Sequence, residues 1–78
     1  MMVKHLFING VSVLTAKKDS KGNFEYYVAS KNDFAMVKVE DYQQFIEVMK
    51  KYAHTCLISW DDNLIKQYKE LYNFINEF

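Results

Sequence analysis

Several residue types that usually indicate a particular function are scarce or missing in this 78-residue sequence. It contains one cysteine, Cys56, so an intramolecular disulfide is excluded and a reducing, cytoplasmic location is expected. None of its ten basic residues is arginine, the side chain best suited to bidentate recognition of phosphate and guanine. The two glycines, Gly10 and Gly22, stand in separate predicted turns, so no glycine-rich loop is present to hold a phosphate.

Proline and long apolar runs are missing as well. Without proline, none of the candidate strands and helices is interrupted. The apolar run at residues 3–8 contains charge and is too short for a signal sequence or a membrane span. Half of the residues are nevertheless hydrophobic, which argues against disorder. We therefore expect a soluble protein in which residues 1–78 form a single domain.

The charges balance over the whole sequence but not along it. Ten lysines match ten acidic residues, so no net field attracts nucleic acid or an anionic membrane. Residues 1–39 carry a net charge of +3 and residues 40–78 a net charge of −3. The carboxy-terminal half is therefore expected to have a mildly acidic surface.

The first half of the sequence predicts an antiparallel sheet. Asn9-Gly10 separates two apolar runs, and this pair is typical of a type I′ hairpin turn because both residues tolerate positive φ. Polar turn clusters follow at residues 18–23 and 30–33. The strands are predicted at residues 3–8, 11–17, 24–30 and 34–39. Their simplest arrangement is a four-stranded meander.

The hairpin turn also predicts which side chains share a face of the sheet. A two-residue turn gives a continuous register in which Leu6 lies opposite Val13. Alternation along the strands then assigns one apolar set to the core face: Leu6, Ile8, Val11, Val13, Phe24, Tyr26 and Val28. The opposite face is predicted to carry a mixed set: His5, Phe7, Leu14, Ala16, Glu25, Tyr27 and Ala29.

After residue 39 the apolar residues recur at helical spacing. A first helix is predicted at about residues 40–54, with acidic residues in its first turn. Residues 56–58 could continue this helix, but a connector or a short fifth strand is favoured because Ile58 falls off the apolar side. A second helix is predicted at residues 59–78, where Ser59 and Asp62 fit a capping box. Its apolar stripe consists of Trp60, Leu64, Ile65, Tyr68, Leu71, Tyr72, Ile75 and Phe78.

These elements together predict an α+β domain: a four-stranded antiparallel meander with two carboxy-terminal helices packed on one face.

Residues that could support catalysis or bind a metal are few. His5, His54 and Cys56 offer three nitrogen or sulfur ligands, whereas structural zinc takes four. A nucleophilic pair of Cys56 and His54 would need a third group to orient the imidazole, and the sequence identifies none. The adjacent Asp61 and Asp62 stand at a predicted helix start, where a capping role is the simpler interpretation. We therefore expect no enzymatic activity, no metal and no cofactor.

One segment of the sequence resembles a strand from a known domain family. Residues 21–28 read Lys-Gly-Asn-Phe-Glu-Tyr-Tyr-Val and loosely resemble the aromatic strand of RNA-recognition-motif domains, where exposed rings stack on bases. The resemblance implies a surface for single-stranded RNA or DNA formed by Phe24, Tyr26 and Tyr27. The predicted element order differs from the βαββαβ order of that family, and Glu25 lies within the strand. Nucleic acid is therefore a less favoured partner than protein.

The sequence has more aromatic surface than the predicted core can bury. Thirteen of its residues are aromatic, and two helices can cover only one face of the sheet. We predict a partner-binding surface on the other face, formed by Phe7, Leu14, Glu25 and Tyr27. Burial of these rings at the edges of the core is the competing interpretation. A secondary, acidic surface is predicted on the helical side: Glu40, Asp41, Glu47, Glu70 and Glu77.

The overall composition suggests a class of partner. Lysine without arginine, six asparagines, no proline and many Phe, Tyr and Ile residues in a very short chain are similar to small accessory proteins of phages and mobile elements from AT-rich bacteria, including anti-CRISPRs. The resemblance implies a compact protein that blocks a host defence or nucleic-acid enzyme by occupying its surface. The expected partner is a larger host protein. A homodimeric structural or assembly module is the main alternative.

Overall fold

A computed structural model describes residues 1–30, 35–58 and 61–76 of the chain. Its elements are β1 (Met2–Ile8), β2 (Val11–Lys18), β3 (Phe24–Ala29), β4 (Met36–Val39), α1 (Tyr42–Leu57) and α2 (Asp62–Ile75). The strands form one antiparallel sheet in the order β1-β2-β3-β4, and both helices pack against one of its faces. The predicted α+β fold is therefore confirmed.

The turn between β1 and β2 has the conformation that its sequence predicts. Asn9 and Gly10 have φ values of 52° and 79°, as a type I′ turn requires. Phe7 then lies opposite Ser12, as the two-residue turn implies. The hairpin is confirmed next to its turn.

A β-bulge between Leu6 and Phe7 changes the register farther from the turn. Leu6 lies opposite Leu14 rather than Val13, so β2 contains one extra residue at this point. The predicted outer-face positions of Leu14 and Ala16 are therefore wrong, because both residues are fully buried on the core face. The extra residue, Val13, is buried as well. The bulge is favoured because an uninterrupted register would expose the larger Leu14 to water.

The core lies between the helices and the inner face of the sheet. Its largest fully buried side chains come from two strands and both helices: Leu6, Leu14, Phe45, Met49, Cys56 and Leu71. Tyr26 connects β3 to α1, with its ring centroid 4.9 Å from that of Phe45. Phe24 packs edge-on against Phe74 of α2 at 5.5 Å. The inward positions predicted for Phe24 and Tyr26 are thus confirmed.

The first helix begins with a capping arrangement and ends later than predicted. The Asp41 carboxylate accepts the N–H of Gln44, whose side chain accepts the N–H of Glu40. The helix continues to Leu57, so the favoured interpretation of residues 56–58 as a connector or strand is wrong. Cys56 extends the apolar stripe of the helix into the core, seven residues after Met49. The described part of the chain contains no fifth strand.

The second helix begins at Asp62, three residues after the predicted start at Ser59. Asp61 is the N-cap, and its carboxylate accepts the N–H of Asn63 at 2.9 Å, which confirms the capping interpretation of this residue. Aspartate at this position satisfies the exposed helix N–H groups effectively. Phe74, which the predicted stripe omits, is buried, whereas Tyr72 is 49% exposed. The remaining predictions for Phe34, Ser59, Trp60, Glu77 and Phe78 lie outside the described residues.

Candidate functional site

The candidate site is the outer face of the sheet, the face that points away from the helices. The bulge, the strand register and the side-chain contacts assign it these residues: His5, Phe7, Ser12, Thr15, Lys17, Glu25, Tyr27, Met36 and Lys38. The helices lie on the opposite face, so within the described residues no helix covers this surface.

One row of residues crosses all four strands near the centre of the outer face. His5 pairs with Thr15, Thr15 with Tyr27, and Tyr27 with Lys38. Neighbours in such a row have Cβ atoms about 5 Å apart and therefore contact each other. Thr15 is only 4% exposed, so the side chains around it pack closely.

A cluster of polar groups fixes one end of this row. His5 Nδ1 lies 2.8 Å from Thr15 Oγ1 and 3.1 Å from Ser12 Oγ, and the two hydroxyl oxygens are 3.2 Å apart. The bulge makes this possible, because it places Ser12 and Thr15 on one face although they are three residues apart. The imidazole in turn lies 5.3 Å from the ring of Phe7. Phe7 is 44% exposed, yet its ring has a defined neighbour.

A second set of contacts surrounds Tyr27 on the other half of the face. Its hydroxyl donates to the Glu25 carboxylate at 2.9 Å, and the other oxygen of that carboxylate lies 3.9 Å from Lys38 Nζ. The hydrogen bond to Glu25, followed by desolvation, raises the pKa of Tyr27, so the phenol remains a protonated donor at neutral pH. The carboxylate, the phenol and the ammonium thus form a connected polar chain.

Lys17 holds the least neutralised charge on this face. It lies opposite Glu25 in the register, but its ammonium is positioned 5.0 Å above the ring of Tyr27 instead. Among the described residues, no carboxylate lies within ion-pair distance of Lys17. The outer face therefore carries two lysines and one acidic residue.

These side chains enclose a shallow depression of about 240 Å³. It is lined by His5, Thr15, Lys17, Tyr27 and Met36. The lining combines aromatic, cationic and hydroxyl groups, which suits one protruding side chain of a partner better than a large ligand.

The structure retains three of the four predicted contact residues on this surface. Phe7, Glu25 and Tyr27 lie on the outer face, but Leu14 is fully buried beneath it and cannot touch a partner. The prediction omitted Lys17 and Lys38, which form the cationic part of the surface. Uninterrupted alternation from the hairpin turn places Lys17 on the core face, whereas the bulge moves it to the outer face opposite Glu25.

The three aromatic residues of the predicted nucleic-acid surface do not share one face of the sheet. Phe24 and Tyr26 point toward the helices, and only Tyr27 of the three aromatic residues lies on the outer face. The three rings therefore do not form one surface on which bases could stack. Residues 24 and 26 share one face of a strand, and residue 27 must take the other.

The predicted acidic residues are distributed over several elements. Glu40, Asp41, Glu47 and Glu70 are exposed, but Asp41 is occupied in capping α1. Glu70 borders a groove beside β1 that also contains Lys4. The neighbouring cation offsets the acidic character of this part of the surface.

The three candidate metal or nucleophile residues are separated. Cys56 lies in the core, where burial raises the pKa of its thiol, whereas His5 lies on the outer face and His54 is exposed on α1. The described residues contain no group of three or more His, Cys, Asp or Glu side chains placed to hold a metal ion. This arrangement does not activate the Cys56 thiol.

A further groove, of about 410 Å³, lies beside α2 and is lined by Tyr68, Lys69, Tyr72 and Asn73. Of these residues, Tyr72 offers the most exposed ring, and it provides a useful comparison for the outer face.

Comparisons with family models, curated proteins and solved structures give no match to this chain. In the described part of the chain, neither helix is long and apolar enough to cross a membrane.

Proposed function

We propose that this protein is a non-enzymatic binding module that acts by covering a surface of a larger protein with its outer face. The observation that supports this proposal most directly is the half-exposed Phe7 ring beside a depression with closely packed walls. A few aromatic anchors usually supply most of the energy of a protein interface. Anchors that neighbouring groups already hold in place lose less conformational freedom on binding.

The charges of the outer face indicate what the partner presents there. Lys17 and Lys38 outnumber Glu25, and Glu25 already accepts a hydrogen bond from Tyr27. A partner surface with an apolar pocket for Phe7 and a carboxylate near Lys17 would be complementary. Such a carboxylate could pair with the Lys17 ammonium, which forms no ion pair with any of the described residues.

The class of partner is proposed from composition. The resemblance to accessory proteins of phages and mobile elements supports a stoichiometric inhibitor of a host defence or nucleic-acid enzyme, similar in action to anti-CRISPRs. Occlusion requires a stable surface and no chemistry of its own. The four-stranded sheet and the hydrogen bonds between side chains of the outer face support such a surface.

The test is affinity purification from a bacterial lysate with immobilised variants. In a double variant with Phe7→Ala and Tyr27→Ala, we expect recovery of specific partners to fall roughly tenfold or more, since each anchor is worth more than about 1 kcal/mol. Tyr72→Ala removes an exposed ring on the helical side and should leave recovery unchanged. Circular dichroism would confirm that all variants are folded.

Unchanged recovery by the folded double variant would exclude the outer face as the binding surface. Loss of recovery with Tyr72→Ala alone would assign binding to the groove beside α2 instead.

A homodimeric assembly module is a second candidate, favoured by the zero net charge and by exposed apolar residues at one edge of the sheet, Met36 and Val37. Sedimentation velocity at micromolar concentration tests it. A monomer under these conditions would remove this candidate.

A further inference from the structure

The two edges of the sheet are protected in different ways. At β1, the side-chain amide of Gln67 from α2 accepts the N–H of Phe7 at 3.0 Å and donates to the Phe7 carbonyl at 3.4 Å. These are the two hydrogen bonds that a residue of a neighbouring strand would make. The helix therefore occupies the edge of β1 at Phe7, where another chain would otherwise pair.

No comparable contact protects β4 within the described residues. The backbone N–H of Ser30 donates to the Ala35 carbonyl, so these two residues form a hydrogen-bonded pair. Every second pair of an antiparallel ladder is hydrogen-bonded, so the pairs Val28–Val37 and Tyr26–Val39 are hydrogen-bonded as well. The N–H and C=O groups of Met36 and Lys38 must therefore point away from β3. They form an open edge of two donors and two acceptors.

The side chains beside this edge have different characters on the two faces. Val37 lies on the helical side of the sheet, yet it is 50% exposed because the helices do not reach over it. Met36 and Lys38 lie on the outer side. The Lys38 side chain is 59% exposed, and the carboxylate nearest to it, Glu25, already accepts the Tyr27 hydroxyl. Lys38 is therefore available to a second acidic group.

We propose that the β4 edge is a docking site for an extended segment of a partner protein, which adds to the sheet as a fifth strand. The backbone of the segment pairs with Met36 and Lys38. On the outer side it places a carboxylate beside Lys38, and on the helical side an apolar residue beside Val37. This mode takes its affinity from main-chain hydrogen bonds and its specificity from the flanking side chains.

A second copy of this chain fits the edge less well. Within β4, the residues with outward backbone groups are Met36 and Lys38, so two antiparallel copies can use all of these groups in one register, with Met36 opposite Lys38 of the other copy. That register supplies no carboxylate to either lysine. The overlap is also limited to a strand of four residues. Such a strand buries little surface, whereas stable interfaces bury roughly 1,200 Å² or more.

The experiment selects peptides from a random dodecamer display library on the immobilised, folded chain and compares their binding to two variants at one position. Met36→Pro removes an outward N–H but leaves the ladder to β3 intact, because proline is tolerated at a sheet edge. Met36→Ala keeps that N–H and removes the side chain. We expect peptide affinity to fall roughly tenfold in Met36→Pro and by less than about threefold in Met36→Ala.

Two further measurements complete the test. Bound peptide should slow hydrogen exchange at the amides of Met36 and Lys38, and Lys38→Glu should weaken peptides that contain an acidic residue. Selected peptides that bind Met36→Pro as tightly as the unchanged chain would overturn the proposal, as would a selection that yields none. A dimer of the unchanged chain that dissociates in Met36→Pro would assign the edge to a second copy and also overturn it.

Discussion

At the scale of single residues, the side chains around the bulge of β2 determine what is core and what is surface. Leu14 and Ala16 are buried because one extra residue reverses the alternation of the strand. The same reversal places Ser12 and Thr15 together against His5. One local irregularity therefore improves the core and also builds the polar cluster that positions Phe7.

Leu14→Ala tests this register. Because Leu14 is fully buried, its truncation should lower the free energy of unfolding by about 2–5 kcal/mol in urea denaturation. Phe7→Ala, at a half-exposed position, is the control and should cost about 1 kcal/mol or less. Equal effects of the two substitutions would indicate that Leu14 lies on the surface, as a hairpin without the bulge requires.

At the scale of elements, one polar side chain adds two hydrogen bonds to the apolar contact between α2 and β1. Gln67 joins residues that are 60 positions apart in the chain and satisfies both edge groups of Phe7. Phe7 also belongs to the outer face, so α2 stabilises the backbone from which the proposed anchor projects. The helices thus influence a surface that they do not cover.

Gln67→Leu should release the edge of β1. We expect a loss of about 1 kcal/mol of unfolding free energy and faster hydrogen exchange at the Phe7 amide, since a hydrogen bond to the backbone is removed. Gln67→Glu keeps an acceptor for that amide and should preserve most of its protection. If Gln67→Leu leaves the exchange rate of Phe7 unchanged, the amide contact does not protect this edge in solution.

At the scale of the whole molecule, a single core unites both layers. Its members come from β1, β2, β3, α1 and α2, and the Tyr68 hydroxyl adds a hydrogen bond to the Met49 carbonyl between the helices. If any one of these elements unfolded, the rest of this small core would be exposed to water.

We therefore expect cooperative unfolding in one step. Far-ultraviolet circular dichroism, which reports mainly the helices, and near-ultraviolet tyrosine signals should give the same midpoint in thermal and urea denaturation. Leu71→Ala in α2 should lower both midpoints equally, because its side chain is fully buried in the shared core. Separate transitions for the two signals would contradict a single cooperative unit.

Much of the fold follows from local patterns in the sequence. Asn9-Gly10 predicts the turn because few other residue pairs accept two positive φ values, and alternation predicts the inward positions of Phe24 and Tyr26. Helical spacing predicts both helices. The bulge and the continuation of α1 to Leu57 do not follow from such patterns, because each depends on what packs against the residues.

Some features of the candidate site likewise follow from the sequence, and others depend on tertiary contacts. The sequence by itself determined that Phe7, Glu25 and Tyr27 lie on the face opposite the helices, since side chains alternate along a strand. Only the tertiary structure decided that Leu14 leaves this surface and that Lys17 lies over Tyr27. It also decided that Gln67 occupies the β1 edge, whereas no side chain of the described residues occupies the β4 edge in this way. These features arise from contacts between distant parts of the chain, where burial and hydrogen bonding outweigh local preference.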